Sequence, residues 1–143
     1  MYRDKALLVP IKDNKILIQD RRCWKPPAFG YFGGKIEDGE SPLEAVIRET
    51  KEELNLDVSE DEFIGMHEIR SDKDGKKTNS YYFVYPTEQE SFEVYEGDQA
   101  LWMDIEEVRS KLKNFDKDEE LLRFIKKQFW GIRLILVWKS LLK

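Results

Sequence analysis

The sequence predicts an α/β fold in which a mixed β-sheet is covered by helices on both faces. Two observations carry this. Short β-rich runs lie on either side of one strongly capped, carboxylate-rich helix that begins at Ser41, and two further helical stretches come only late in the chain. With 143 residues and no internal repeat, low-complexity block or interdomain linker, the chain reads as one domain over 1–129 followed by an apolar tail over 130–143.

Taken in order, Ala6 to Ile11 and Lys15 to Gln19 are β-rich runs separated by Lys12-Asp13-Asn14, which predicts an opening antiparallel hairpin. Asp20-Arg21-Arg22 closes the second strand with two adjacent cations, placed either to meet substrate oxygens or to pair with surface carboxylates. The loop Trp24-Lys25-Pro26-Pro27-Ala28-Phe29 is stiffened by two prolines, and its flanking aromatics suit core packing better than stacking on a base. Gly30-Tyr31-Phe32-Gly33-Gly34 brings a short strand into a turn that glycine makes at little steric cost, leaving backbone groups open to a ligand.

The stretch 34–56 organises the rest. Ser41 as N-cap, Pro42 in the first helical position and Glu44 three residues after Ser41 form a capping box. At about 100° per residue, Leu43, Val46, Ile47, Thr50 and Leu54 share one stripe, while Glu49, Glu52 and Glu53 gather on the next. Like charges at this spacing cost a helix roughly a few tenths of a kcal/mol per pair. A bound cation reverses that sign, and Mg²⁺ is held through carboxylates, water and substrate phosphate oxygens. Arg48, four residues after Glu44 and four before Glu52, is spaced to hold a carboxylate in orientation.

Beyond the helix, Glu62 to Arg70 and Ser80 to Tyr85 read as strands joined by a polar turn over 71–77. That linker lacks the glycine position and the bidentate Glu of a calcium loop. His67, the sole histidine, reads as structural, and Tyr81, Tyr82, Phe83 and Tyr85 give one strand aromatics on both faces. Phe92 to Tyr95 is a short run, Gln99 to Asp104 the last strand, Ile105 to Val108 the start of a short helix, and Asp116 to Phe129 a terminal helix. The tail holds nine large apolar residues in fourteen, too short and too often charged to span a membrane. Drawn as a helix it has a broad apolar face opposite Arg133, Lys139 and Lys143, suited first to a homodimer or to the sheet and second to a membrane surface.

Composition narrows the function. An apolar content of 41% with 13% aromatics is that of a packed domain, and 24 Lys and Arg against 29 Asp and Glu give a net charge of −5, which disfavours stable nucleic acid binding. An acidic protein that handles phosphates needs a metal to bridge the charge. Cys23 is the only cysteine, so no intrachain disulfide forms, and the start of the chain has no signal-peptide pattern; the expected compartment is the cytoplasm.

Gly34, Glu40, Arg48-Glu49, Glu52-Glu53 and Leu56, at their fixed separations, resemble the Nudix box, in which Gly-x5-Glu-x7-Arg-Glu-apolar-x-Glu-Glu-x-Gly-apolar is the pattern, with seven of nine specified positions matched. Thr50 replaces an aliphatic residue and can still pack its methyl group; Asn55 replaces a glycine and tolerates the left-handed backbone of a helix C-cap. The resemblance implies an α/β/α sandwich and a Mg²⁺-dependent pyrophosphohydrolase, with Mn²⁺ as the alternative ion, acting on a nucleoside diphosphate linked to another group. A nucleoside triphosphate is the first expectation; ADP-ribose, dinucleoside polyphosphates and nucleotide sugars are the others. It implies metal ligands at Glu49, Glu52, Glu53 and the Gly33 carbonyl, joined by a late acidic residue ahead of Trp102, either Glu96 or Asp98, with Glu96 preferred. Glu49 or Glu96 is the expected general base, Arg48 orients the glutamates, and Glu40 steadies the loop and helix start. Arg21, Arg22, Phe29, Tyr31, Gly34 and Lys35 form the expected substrate-contacting set. The alternative is a Nudix-fold nucleotide sensor or protein-interaction module without turnover.

Overall fold

The opening hairpin sets the sheet. In the computed structural model, which describes residues 3–23, 28–94, 99–112 and 115–142, β1 (Lys5–Lys12) and β2 (Lys15–Arg21) turn at Asp13 and Asn14. Both turn residues are left-handed, at φ 51° and 60°, the conformation that matches a two-residue turn to the twist of its strands. The strands pair only at Ile11↔Ile16 and Lys12↔Lys15, and then part. β3 (Ala28–Gly30) pairs with β2 and β4 (Phe32–Lys35) with β1, both antiparallel, on the edges that β1 and β2 have vacated. The turn expected at Gly33 and Gly34 is instead strand, Phe32 to Lys35, because β1 offers it a ladder.

β5 (Gly65–Lys73) and β6 (Lys76–Pro86) form a second hairpin, and β6 runs parallel to β1 from Lys5↔Ser80 to Ile11↔Pro86. The polar linker expected over 71–77 contracts to Asp74 and Gly75, at φ 55° and 77°, since polar residues continue a ladder where one face meets water. β7 (Gln99–Met103) joins β2 antiparallel and completes a seven-stranded mixed sheet. Within the short run from Phe92, the described residues 92–94 are not strand; Phe92 tilts against Trp102 with ring centroids 6.2 Å apart.

Alternation along the strands makes two cores. Ala6, Leu8, Leu17, Phe32 and Phe83 pack with Ala45, Val46 and Leu54 of α1 (Pro42–Leu54). Val9, Ile11, Ile16, Ile18 and Val84 pack on the other face with Val108 of α2 (Ile105–Lys111) and with Leu121, Leu122, Ile125 and Phe129 of α3 (Phe115–Leu141). The result is the expected α/β/α sandwich. Tyr82 lies on the α3 side and Phe83 on the α1 side, so the aromatic strand serves both cores. His67 on β5 stacks on Phe124 at 4.9 Å and bonds Glu120 Oε1 at 2.8 Å, which ties the edge strand to α3.

α1 starts and stops as its sequence dictates. Ser41 Oγ accepts from the Glu44 amide at 3.1 Å and Glu44 Oε1 accepts from the Ser41 amide at 3.2 Å, while Asn55 caps the C-terminus at φ 52°. α3 is continuous across 129 and 130, so the boundary expected there falls inside one helix.

Thr50 is fully buried and its hydroxyl has no hydrogen-bond partner among the described residues. Burying an unpaired hydroxyl costs about 1–3 kcal/mol, and valine has nearly the same shape. Thr50→Val is therefore expected to raise stability by about 1 kcal/mol; an unchanged or lowered urea midpoint contradicts the unpaired hydroxyl.

Candidate active site

Two glycines let β4 lie directly against its neighbours. Gly33 has φ 132°, and a Cβ there would sit 2.2 Å from the Ala6 carbonyl oxygen of β1, so only glycine permits the pairing. Its amide donates to Glu53 Oε2 at 2.8 Å. At Gly34 a Cβ would fall 2.5 Å from Glu49 Oε1, so the Glu49 carboxylate occupies the space a side chain would take. One glycine orients Glu53 and the next seats Glu49.

Arg48 holds the cluster together. Its Nε and Nη2 donate to the two oxygens of Glu40 at 2.8 and 3.0 Å, Nη1 reaches Glu49 at 3.0 Å and Glu52 at 3.3 Å, and Nη2 also bonds the Lys35 carbonyl at 3.1 Å. One guanidinium thus serves three carboxylates and the end of β4, which only its planar fork of donors allows. Of the two helix partners the spacing offered, Arg48 takes Glu52 and not Glu44, because Glu44 is engaged in the N-terminal cap.

These contacts separate the carboxylates. The Arg48 guanidinium and the Glu37 amide hold Glu40 far below the usual range, at about 2. Burial raises Glu49, opposed by Arg48, so Glu49 retains a proton more readily than a free glutamate. Glu52 is the exposed member, with 58% of its side-chain surface open against 14% for Glu49.

The remaining residues of the expected site form a second group around β2 and β3. Arg21 donates through Nε to Gln19 at 2.7 Å and through Nη2 to the Tyr31 carbonyl at 2.7 Å, bracing the corner between β3 and β4. Arg22 is taken by Asp20 at 2.7 Å and lies over the Phe29 ring at 5.3 Å, with Lys111 also near that ring at 5.9 Å. Tyr31 is only 6% exposed and meets Tyr82 edge-on at 5.4 Å, so its ring belongs to the core on the α3 side. Lys35 is exposed at the end of β4. Glu96 and its alternative Asp98 lie outside the described residues. The chain leading to them is tied to the C-cap of α1, where Asn55 Nδ2 donates to Glu93 Oε2 at 3.2 Å.

The bidentate Glu40–Arg48 pair is the contact that helix spacing missed. Its partners are eight residues apart, across the loop, and only the fixed box interval signals it. Among the described residues no three His, Cys, Asp or Glu side chains converge as a ready-made metal centre. Glu40, Glu49 and Glu52 converge on Arg48 instead. The donors are all oxygen, and the absent Cβ at Gly34 leaves Glu49 lying against the strand backbone. Both features fit an oxygen-seeking divalent ion.

A model of the NUDIX domain matches residues 1–125. The chain belongs to the Nudix hydrolase family. Nudix hydrolase 5 of Arabidopsis thaliana is 27% identical over 122 residues, which cover 82% of this chain but only 38% of that protein. CTP pyrophosphohydrolase of Escherichia coli K12 is 26% identical over 99 residues, 68% of this chain and 72% of the relative. A Caenorhabditis elegans Ap4A hydrolase binary complex shares the fold, with a TM-score of 0.68 over 91% of this chain and 99% of that one at 18% identity. Nudix hydrolases as a family use divalent metal ions and act on nucleotide-type small molecules.

Glu40 supplies a pH test. Its value in the fold, about 2, lies below the ordinary 4.5. The ion pair therefore stabilises the protein fully above the ordinary value, and that contribution disappears as pH falls through about 2. Glu40→Gln is expected to be less stable than the parent near neutrality and to converge with it in acid, as followed by circular dichroism; parallel acid-unfolding curves contradict the pairing.

Proposed function

We propose that this Nudix protein is a cytoplasmic, Mg²⁺-dependent pyrophosphohydrolase that cleaves the diphosphate linkage of a nucleoside diphosphate joined to another group, a nucleoside triphosphate being the first substrate to test. The observation that carries the reading is the geometry on α1. Arg48 gathers Glu40, Glu49 and Glu52 while Gly33 and Gly34 seat Glu53 and Glu49, an expensive clustering of acids that a solvated helix face has no need of. The Escherichia coli relative, a CTP pyrophosphohydrolase by name, supports a triphosphate.

Glu49, Glu52, Glu53, the Gly33 carbonyl and Glu96 are the ligands assigned to Mg²⁺, or Mn²⁺ in its place, which when bound polarises the phosphates and offsets the charge of the attacking oxygen. The protein groups divide the other tasks. Arg48 fixes the directions of Glu49 and Glu52, and Glu40 fixes Arg48 through two hydrogen bonds. Glu49, with its proton affinity raised by burial, accepts the proton of the attacking water, and Glu96 is the alternative base. Lys35, exposed at the end of β4, draws substrate phosphates toward the strand, and Arg22 with Phe29 offers a cation and an aromatic face beside β3, while Arg21 braces the corner between β3 and β4.

A panel of nucleoside triphosphates, dinucleoside polyphosphates, ADP-ribose and nucleotide sugars, incubated with Mg²⁺ and scored for the product released, tests the reading. Hydrolysis within the diphosphate linkage is expected; tight binding with no release of phosphate or pyrophosphate establishes a sensor instead. Glu53→Gln is expected to reduce turnover by at least about 100-fold with an unchanged melting temperature, and Arg48→Lys by about 10–100-fold because the fork is lost while the charge stays. Near-normal rates in Glu53→Gln remove the ligand assignment. Gly34→Ala is expected to displace the Glu49 carboxylate and so to reduce kcat more than it alters KM.

A further inference from the structure

The end of α3 has no part in the site on α1, and beyond Ile132 its described side chains are exposed. The helix has 27 residues, about 40 Å of axis. Its contacts with the core run through Leu121, Leu122, Ile125 and Phe129, with Ile132 the last such partner among the described side chains. Among the described side chains from Arg133 onward, Arg133, Leu134, Ser140, Leu141 and Leu142 are all exposed. The helical backbone continues to Leu141, roughly two and a half turns beyond Ile132.

Three of the exposed apolar side chains, all within the helix, share one direction. Trp130 is 60% exposed, Leu134 67% and Leu141 70%, and at about 100° per residue the three lie within about 40° of one another. They point about 150° away from the Ile125, Phe129 and Ile132 side that meets the sheet. Arg133 stacks over the Trp130 ring at 6.0 Å. Just before this stripe, Arg123, Lys126 and Lys127 line a shallow groove with Trp130, so cations precede and flank the apolar surface.

Charge decides what covers it. Residues 126–143 contain Lys126, Lys127, Arg133, Lys139 and Lys143 and no Asp or Glu. With the whole chain at −5, the preceding residues stand at −10, so the molecule is divided into an acidic body and a cationic, apolar terminal helix. A second copy of the helix laid against the stripe would oppose like charges. An anionic lipid surface pairs with them while taking Trp and Leu side chains into the boundary between headgroups and acyl chains. No helix among the described residues is long and apolar enough to cross a membrane, so the helix would lie in the interface plane.

We infer that α3 from Lys126 onward docks the protein on anionic membrane surfaces. α1 and α3 cover opposite faces of the sheet, so docking through α3 leaves the carboxylate site facing away from the bilayer. The inference does not depend on the proposed activity.

Sedimentation of the full chain with phosphatidylcholine vesicles, with and without phosphatidylglycerol, tests it. Binding is expected to be at least about tenfold tighter to the anionic vesicles and to weaken as salt is raised. Leu134→Asp combined with Leu141→Asp is expected to abolish binding, and Lys126→Glu combined with Lys127→Glu to weaken it by at least about tenfold. All four positions are outside the carboxylate site, so an unchanged circular dichroism spectrum and melting temperature control for folding. Failure to bind anionic vesicles overturns the inference, as does binding that survives the double Asp variant. A dimer in analytical ultracentrifugation that the same variant dissolves, with no vesicle binding, overturns it in favour of a second copy.

Discussion

The close approach of β4 to β1 and α1 is the constraint on which the rest depends. Where Gly33 and Gly34 lie, the strand backbone occupies space that any Cβ would contest, first with the Ala6 carbonyl and then with the Glu49 carboxylate. Because the backbone comes so near, its amides and carbonyls become partners for side chains of the helix: Gly33 for Glu53 and Lys35 for Arg48. The acidic helix is thereby held at a fixed height over the strand. Without that contact, Glu49, Glu52 and Glu53 would be three repelling charges on a solvated surface.

Arg48 converts the repulsion into order. A lysine could neutralise one carboxylate at a time, whereas the guanidinium fork engages Glu40 with two bonds and still has donors for Glu49 and Glu52. The chemical result is a set of like side chains with unlike proton affinities and surroundings. The Arg48 guanidinium lowers the proton affinity of Glu40, burial raises that of Glu49, and Glu52 is open to solution. Such divergence among neighbouring acids is what allows one to be structural and another to move a proton.

The sheet keeps the two faces independent. Odd and even positions of β1 serve different cores, so the helix that bears the carboxylates and the helix that bears the exposed apolar stripe pack on opposite faces of the sheet. The splitting of β1 from β2 is the device that makes room for this arrangement. It opens an edge on each strand, one taken by β3 and the other by β4, and so delivers the glycine pair beneath α1.

Much of this was written locally. The capping box at Ser41, the left-handed cap at Asn55, the hairpin at Asp13-Asn14 and the alternation of apolar residues are short-range effects, set by backbone sterics and by side chains reaching their own amides. The sequence by itself therefore determined the elements, their faces and the family pattern of the box. Tertiary structure alone decided which partners those elements found. That Glu40 rather than Glu44 would take Arg48, that Tyr31 would turn into the α3 core while its carbonyl held Arg21, and that Phe32 to Lys35 would be strand and not turn all depend on residues distant in sequence. Helix spacing predicts neighbours on one surface, but a contact across a loop or between strands requires the whole sheet to bring its partners within a few ångströms, and no periodicity records that.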